Sequence, residues 1–108
     1  MTVETFAKEF DFKVLSLPSP EKEVTGAYVG DLLSWVMGRA NSGDVWITIM
    51  SNVNIAAVAT LADTACILLA EGVVLDDEVL SVAKNKGINV LSSEKSAYSI
   101  AKMISDTV

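Results

Sequence analysis

The sequence predicts a single α/β domain over residues 1–108, with a largely parallel central sheet and helices on both faces. Three observations carry this. Val45-Trp46-Ile47-Thr48-Ile49-Met50 and Ala65-Cys66-Ile67-Leu68-Leu69 are apolar runs without clean alternation, as suits strands covered on both sides. A polar break, Ser51-Asn52-Val53-Asn54, and a helix of small residues separate them. From Ala40 onward the order reads β-α-β-α-β-α, so the crossovers should be right-handed and the three strands parallel and adjacent.

Taken in order, Thr2 to Phe10 reads as a short amphipathic helix with Val3, Phe6 and Phe10 on one face and Thr2 as its cap. Phe12 to Leu17 reads as a strand, ended by Pro18-Ser19-Pro20 because neither proline donates to a ladder. Glu21-Lys22-Glu23 is a solvated loop. Val24 to Gly30 reads as a second strand, in which Gly26 implies a bulge or a close neighbouring backbone. These two early strands extend the sheet in an orientation the sequence leaves open.

Asp31 is placed to cap a helix over Leu32 to Met37, which Gly38 and the Asn41-Ser42-Gly43-Asp44 cluster end. The helix over Ile55 to Ala62 is small on nearly every side, which favours tight packing on a sheet. Glu71-Gly72 turns the chain after the second core strand. The next helix opens with Asp76-Asp77-Glu78 and closes with Lys84, Lys86 and Gly87, complementing the helix dipole at both ends. Ile88 to Leu91 is the last core strand. Ser92-Ser93 leads into a terminal helix whose Ala97, Ile100, Ala101 and Ile104 share a face.

Composition excludes several classes. A chain of this mass buries roughly two-thirds of its unfolded surface, enough for a core without staples. Cys66 is the sole cysteine, so no intrachain disulfide forms, and the start of the chain lacks a signal-peptide pattern; a cytoplasmic location is the expectation. The apolar stretch Ile55 to Ala70 holds Asp63 and is rejected as a membrane span. With net charge −6, one arginine, Arg39, and scattered lysines, no basic stripe serves nucleic acid. Half the residues are apolar and mean hydropathy is +0.43, which points to some of that surface lying in a subunit contact.

In a parallel sheet the carboxyl ends of the strands share one edge, which gathers Ser51, Asn52 and Asn54 near Glu71-Gly72 and Ser92-Ser93, with Asp31 joining if its strand runs the same way. Hydroxyls, side-chain amides and free helix-start amides suit a phosphate or another small polar ligand. The alternative is that these residues only cap helices and end strands. Tyr28, Trp35 and Met37 are the candidate interface residues, Trp35 being the one most exposed by its short helix. For these soft side chains, core packing is the competing assignment.

Enzyme patterns fail in turn. There is no histidine, which removes catalytic triads and histidine-bound metals, and neither GxxxxGK[ST] nor GxGxxG occurs. Cys66 sits in an apolar strand and reads as an inert thiol. Asp76-Asp77 is accounted for by the helix dipole, so no metal site and no cofactor are assigned. No catalytic residue is assigned either. Two alternatives remain beside a regulatory domain: a structural, partner-binding subunit without ligand, and a small enzyme using Asp31, Asp44 or Glu71 as acid or base.

The run Val24-Thr25-Gly26-Ala27-Tyr28-Val29-Gly30-Asp31-Leu32-Leu33-Ser34-Trp35-Val36-Met37-Gly38, followed by Gly43-Asp44-Val45-Trp46-Ile47-Thr48-Ile49, resembles the stand-alone DRTGG-domain proteins. Asn54 to Ala59, Glu71-Gly72-Val73 and Val90-Leu91-Ser92-Ser93 continue the likeness. The resemblance implies an α/β fold like the N-terminal domain of HPr kinase/phosphorylase, a tendency to dimerise, and a regulatory or sensing role without chemistry of its own. It also implies a partner enzyme and a small-molecule or nucleotide ligand. The letters DRTGG are absent, and Ser51-Asn52-Val53-Asn54 stands where the wider family often carries a charged or glycine-rich loop, offering neutral hydrogen bonds only.

Overall fold

The computed structural model describes residues 1–108. Its elements are α1 (Val3–Glu9), β1 (Lys13–Ser16), β2 (Gly26–Val29), α2 (Leu33–Arg39), β3 (Asp44–Thr48), α3 (Asn54–Ala62), β4 (Cys66–Leu69), α4 (Asp77–Asn85), β5 (Val90–Ser92) and α5 (Ala97–Ile104). The strands form one sheet in the order β1-β5-β4-β3-β2. The pairs β2–β3, β3–β4 and β4–β5 are parallel, and β1 runs antiparallel to β5. The three later strands are adjacent and parallel as the β-α-β pattern requires. The early strands close opposite edges, one parallel and one antiparallel.

Side-chain alternation divides two cores across this sheet. Val45, Ile47, Cys66, Leu68 and Leu91 face Phe6, Ile100 and Ile104. Trp46, Ile67, Leu69 and Val90 face Val36, Ile55, Ala59, Val79 and Ala83. β3 and β4 are buried at every position, which is why their sequences show no polar face. Ala56, Ala59 and Ala62 of α3 are buried, so small residues let that helix approach the sheet closely.

Local chemistry sets the helix ends. Thr2 accepts from the Thr5 amide at 3.2 Å and Ser96 from the Ser99 amide at 3.2 Å, satisfying amides that the first turn leaves without partners. Phe6, Phe10 and Phe12 cluster with ring centroids 5.2–5.9 Å apart and fasten α1 to the chain that follows it. Gly87, at φ +76°, carries the chain out of the α4 end where Lys84 sits, as the sequence pattern requires.

Four local expectations are corrected. Asp31 does not cap α2, whose N-cap is Leu32 without a side-chain bond. Its carboxylate instead accepts from Thr48 Oγ1 at 2.8 Å and the Ile49 amide at 3.0 Å, and Thr48 Oγ1 takes the Met50 amide at 3.1 Å. These side chains claim the amides that would have continued the ladder, so β3 stops at Thr48 rather than at Met50. Gly38 lies inside α2, which runs on to Arg39. Gly26 marks neither a bulge nor a close backbone: a Cβ there would stand 2.7 Å from Asp44 Oδ1, so a side chain occupies the space.

Candidate functional site

The carboxyl ends of the parallel strands finish together. Val29 is opposite Ile47, Thr48 opposite Leu69, and Leu69 opposite Ser92. Beyond them, the loops after β4 and β5 are joined by backbone: Glu71 N–H donates to Lys95 O at 2.8 Å and Gly72 N–H to Ser93 O at 2.9 Å. Glu71 and Gly72 both hold left-handed backbone, φ 62° and 70°, and this double turn brings the following residues against the β5–α5 loop.

A cavity of about 470 Å³ opens there, within the range of about 300–1,000 Å³ common for small-molecule sites. Leu15, Val73, Val74, Leu75 and Leu80 give it an apolar wall; Ser92, Ser93, Gly72, Lys13, Lys95, Asp11 and Glu94 form the polar part. Lys13 reaches this edge because β1 is antiparallel to β5 and pairs with Ser92. The ion pairs of the chain, Met1–Glu23 and Lys22–Asp63, lie elsewhere, so both lysines keep their donors for a ligand. Ser93 Oγ accepts from the Lys95 amide at 3.1 Å, which fixes the turn carrying Lys95.

The predicted rim divides into two parts. Ser92 and Ser93 line the cavity, whereas Ser51 and Asn52, exposed on the β3–α3 loop, and Asn54, exposed at the first position of α3, lie outside it. Asn52 Oδ1 accepts from the Asn54 amide at 2.9 Å and shapes the turn into α3. Asp31 is committed to the end of β3. The cavity residues that sequence reasoning missed are Lys13, Lys95, Asp11, Glu94 and the apolar loop Val73 to Leu75. Finding Lys13 required knowing that β1 enters beside β5 in the reverse direction, which its own residues do not encode.

Of the candidate interface residues, Trp35 and Met37 are exposed, while Tyr28 is half-buried and packs on the core face containing Trp46. The Arg39 guanidinium lies 3.7 Å from the Trp35 ring centroid, a cation–π contact. Trp46 is fully buried and donates from Nε1 to Gly30 O at 2.9 Å.

The three candidate carboxylates do not converge. Asp44 begins β3 at the far end of the sheet, where its Oδ2 accepts from the Asn41 amide at 2.8 Å, while Asp31 and Glu71 are exposed near the other end. No three His, Cys, Asp or Glu side chains cluster as metal ligands. Burial pushes the Cys66 thiol up to about 12, so the thiolate a nucleophile needs is suppressed. Asp63 is held below the ordinary carboxylate range by its hydrogen bond from Ser42, helped by Lys22 and opposed by slight desolvation. No helix is long and apolar enough to cross a membrane. The cavity therefore offers donors, acceptors and an apolar wall, an arrangement for holding a molecule.

Among protein families, the DRTGG domain matches residues 6–107. Among curated proteins none matches. Among solved structures, the CBS and DRTGG domains of the regulatory region of Clostridium perfringens pyrophosphatase, complexed with the activator diadenosine tetraphosphate, are similar in fold. The TM-score is 0.69 at 13% identity, over 95% of this chain and 45% of that one. The chain thus spans less than half the length of that regulatory region.

Proposed function

The chain belongs to the DRTGG domain family, and from that premise we propose that it is a regulatory module without chemistry of its own, which holds a small phosphate-bearing ligand in the cavity beyond β5. The observation that carries the reading is the cavity itself: two lysines outside any ion pair and two serines face an apolar wall of the right size for a nucleotide-like molecule. Ser92 and Ser93 donate to the ligand, and Lys13 and Lys95 balance its charge. Asp11 and Glu94 accept from its hydroxyl or amino groups and disfavour a bare polyanion.

Ser51, Asn52 and Asn54 shape the neighbouring turn, and Asp31 holds the rim in place. The module acts in the cytoplasm as a homodimer. It reports ligand occupancy to a partner enzyme, in keeping with the regulatory setting of the pyrophosphatase region that shares its fold.

Thermal denaturation of the full chain with inorganic phosphate, AMP, ATP and diadenosine tetraphosphate tests the ligand. A binder at a hundred times its Kd should raise Tm by roughly 10 °C or more, and Lys95→Glu should abolish the rise. Melting curves that stay flat across all four compounds at millimolar concentration overturn the ligand site.

A further inference from the structure

We propose that the free edge of β2 is the surface through which two copies of this chain associate, pairing antiparallel about a two-fold axis at Tyr28 to extend the sheet to ten strands. This deepens the homodimer posited above. The two edges of the sheet differ sharply in how they are guarded. The β1 edge carries Lys13, a register irregularity between Val14 and Ser16, and Pro18 just beyond, all devices that discourage a further strand. The β2 edge, Gly26-Ala27-Tyr28-Val29, carries no charge, no proline and no register shift.

Gly30 N–H donates to Ile47 O on β3. By the alternation of a ladder, the N–H and C=O of Ala27 and Val29 then point away from the sheet. A two-fold axis at Tyr28 sets each Ala27 opposite the second copy's Val29 and satisfies all of these outward groups in two hydrogen-bonded pairs. No other register about a two-fold axis pairs both residues at once.

Charge permits a second copy as the occupant. The chain carries net charge −6, so self-association is opposed wherever acids meet. Between Val24 and Met37 the single charged residue is Asp31, whose carboxylate accepts from Thr48 Oγ1 and the Ile49 amide. The axis brings Asp31 opposite Thr25, so no like charges are juxtaposed. Val29 on β2 and Leu32 three residues beyond it each leave about half of the side chain in solvent, the kind of apolar surface that a subunit contact buries.

The experiment is light scattering on the full chain during size exclusion at about 100 μM, with Val29→Lys, Ala27→Pro and, as a control on the opposite edge, Val14→Lys. The wild type and Val14→Lys should run as dimers, and Val29→Lys and Ala27→Pro as monomers with unchanged circular dichroism. Should the edge variants fail to fold, Tyr28→Cys in a Cys66→Ala background should form a symmetric disulfide on oxidation, whereas Val14→Cys should not. A monomeric wild type overturns the proposal; so does a dimer that survives both edge variants, or a Tyr28→Cys chain that does not cross-link. Ligand-induced thermal shifts are read separately, so loss of the dimer surface and loss of the ligand site are distinguishable.

Discussion

Asn89 and Ser19, 70 residues apart, bind one another as paired strand residues do. The Asn89 carboxamide accepts from the Ser19 amide at 2.9 Å and donates to the Ser19 carbonyl at 2.7 Å. Its Nδ2 also donates to Ala65 O at 3.0 Å, and the residue is 1% exposed. One side chain thereby ties the long excursion between β1 and β2 to the starts of β4 and β5.

Asn89→Ala should cost about 2 kcal/mol, because it leaves two part-buried backbone groups of Ser19 and the buried Ala65 carbonyl without this partner. Asn89→Asp should cost more, since a carboxylate would face two carbonyl oxygens. Urea unfolding measures both, and a loss below about 0.5 kcal/mol for the alanine variant would mean the excursion is held by other contacts.

The paired left-handed residues that shape the cavity should respond in opposite directions. Glu71→Gly should stabilise by about 1 kcal/mol, since glycine carries no Cβ penalty at φ 62°. Gly72→Ala should destabilise by about 1 kcal/mol or more: its φ is +70°, and the added Cβ would stand 2.8 Å from Glu94 Oε2. Differential scanning calorimetry reads both signs, and equal signs would disprove the account of this turn.

Asp31→Ala should lose about 1.5 kcal/mol through the Thr48 and Ile49 bonds, while Asp31→Asn keeps an acceptor oxygen and should lose less than half of that. Helix content should be unchanged in both variants, because Asp31 makes no cap. A drop in α2 protection against hydrogen exchange, with β3 unaffected, would contradict this placement.

Cys66 gives a signed pH dependence. Burial raises its pKa from 9.0 to about 12, so the folded chain keeps the proton that the unfolded chain releases. The contribution to stability is fully present below pH 9 and is lost as pH rises toward 12, at up to roughly 1.4 kcal/mol per unit. The advantage of the wild type over Cys66→Ala in urea unfolding should therefore shrink between pH 9 and pH 11. The native thiol should react with disulfide reagents only as fast as the chain opens.

The core strands, the β-α-β order and the class of the fold were legible because they depend on short-range facts. Val45 to Ile47 and Cys66 to Leu69 are apolar at consecutive positions, as suits a strand covered on both faces. Thr2 announces a helix start because a cap bonds three residues away. That Ser92 and Ser93 end a parallel strand was legible for a similar reason: the end of such a strand is fixed by the run that precedes it.

What the sequence by itself determined is therefore which segments are strands and helices and which strand ends meet. The tertiary structure decided the rest: that β1 reverses beside β5 and delivers Lys13 to the cavity, that Asp31 reaches Thr48 across 17 residues instead of capping its own helix, and that β2 takes the other edge of the sheet. Periodicity and caps are properties of neighbouring residues, each worth a definite local energy. Edge order and strand direction come from closing loops over the whole chain, where a distant partner such as Asn89 for Ser19 selects among arrangements that local preferences leave equal.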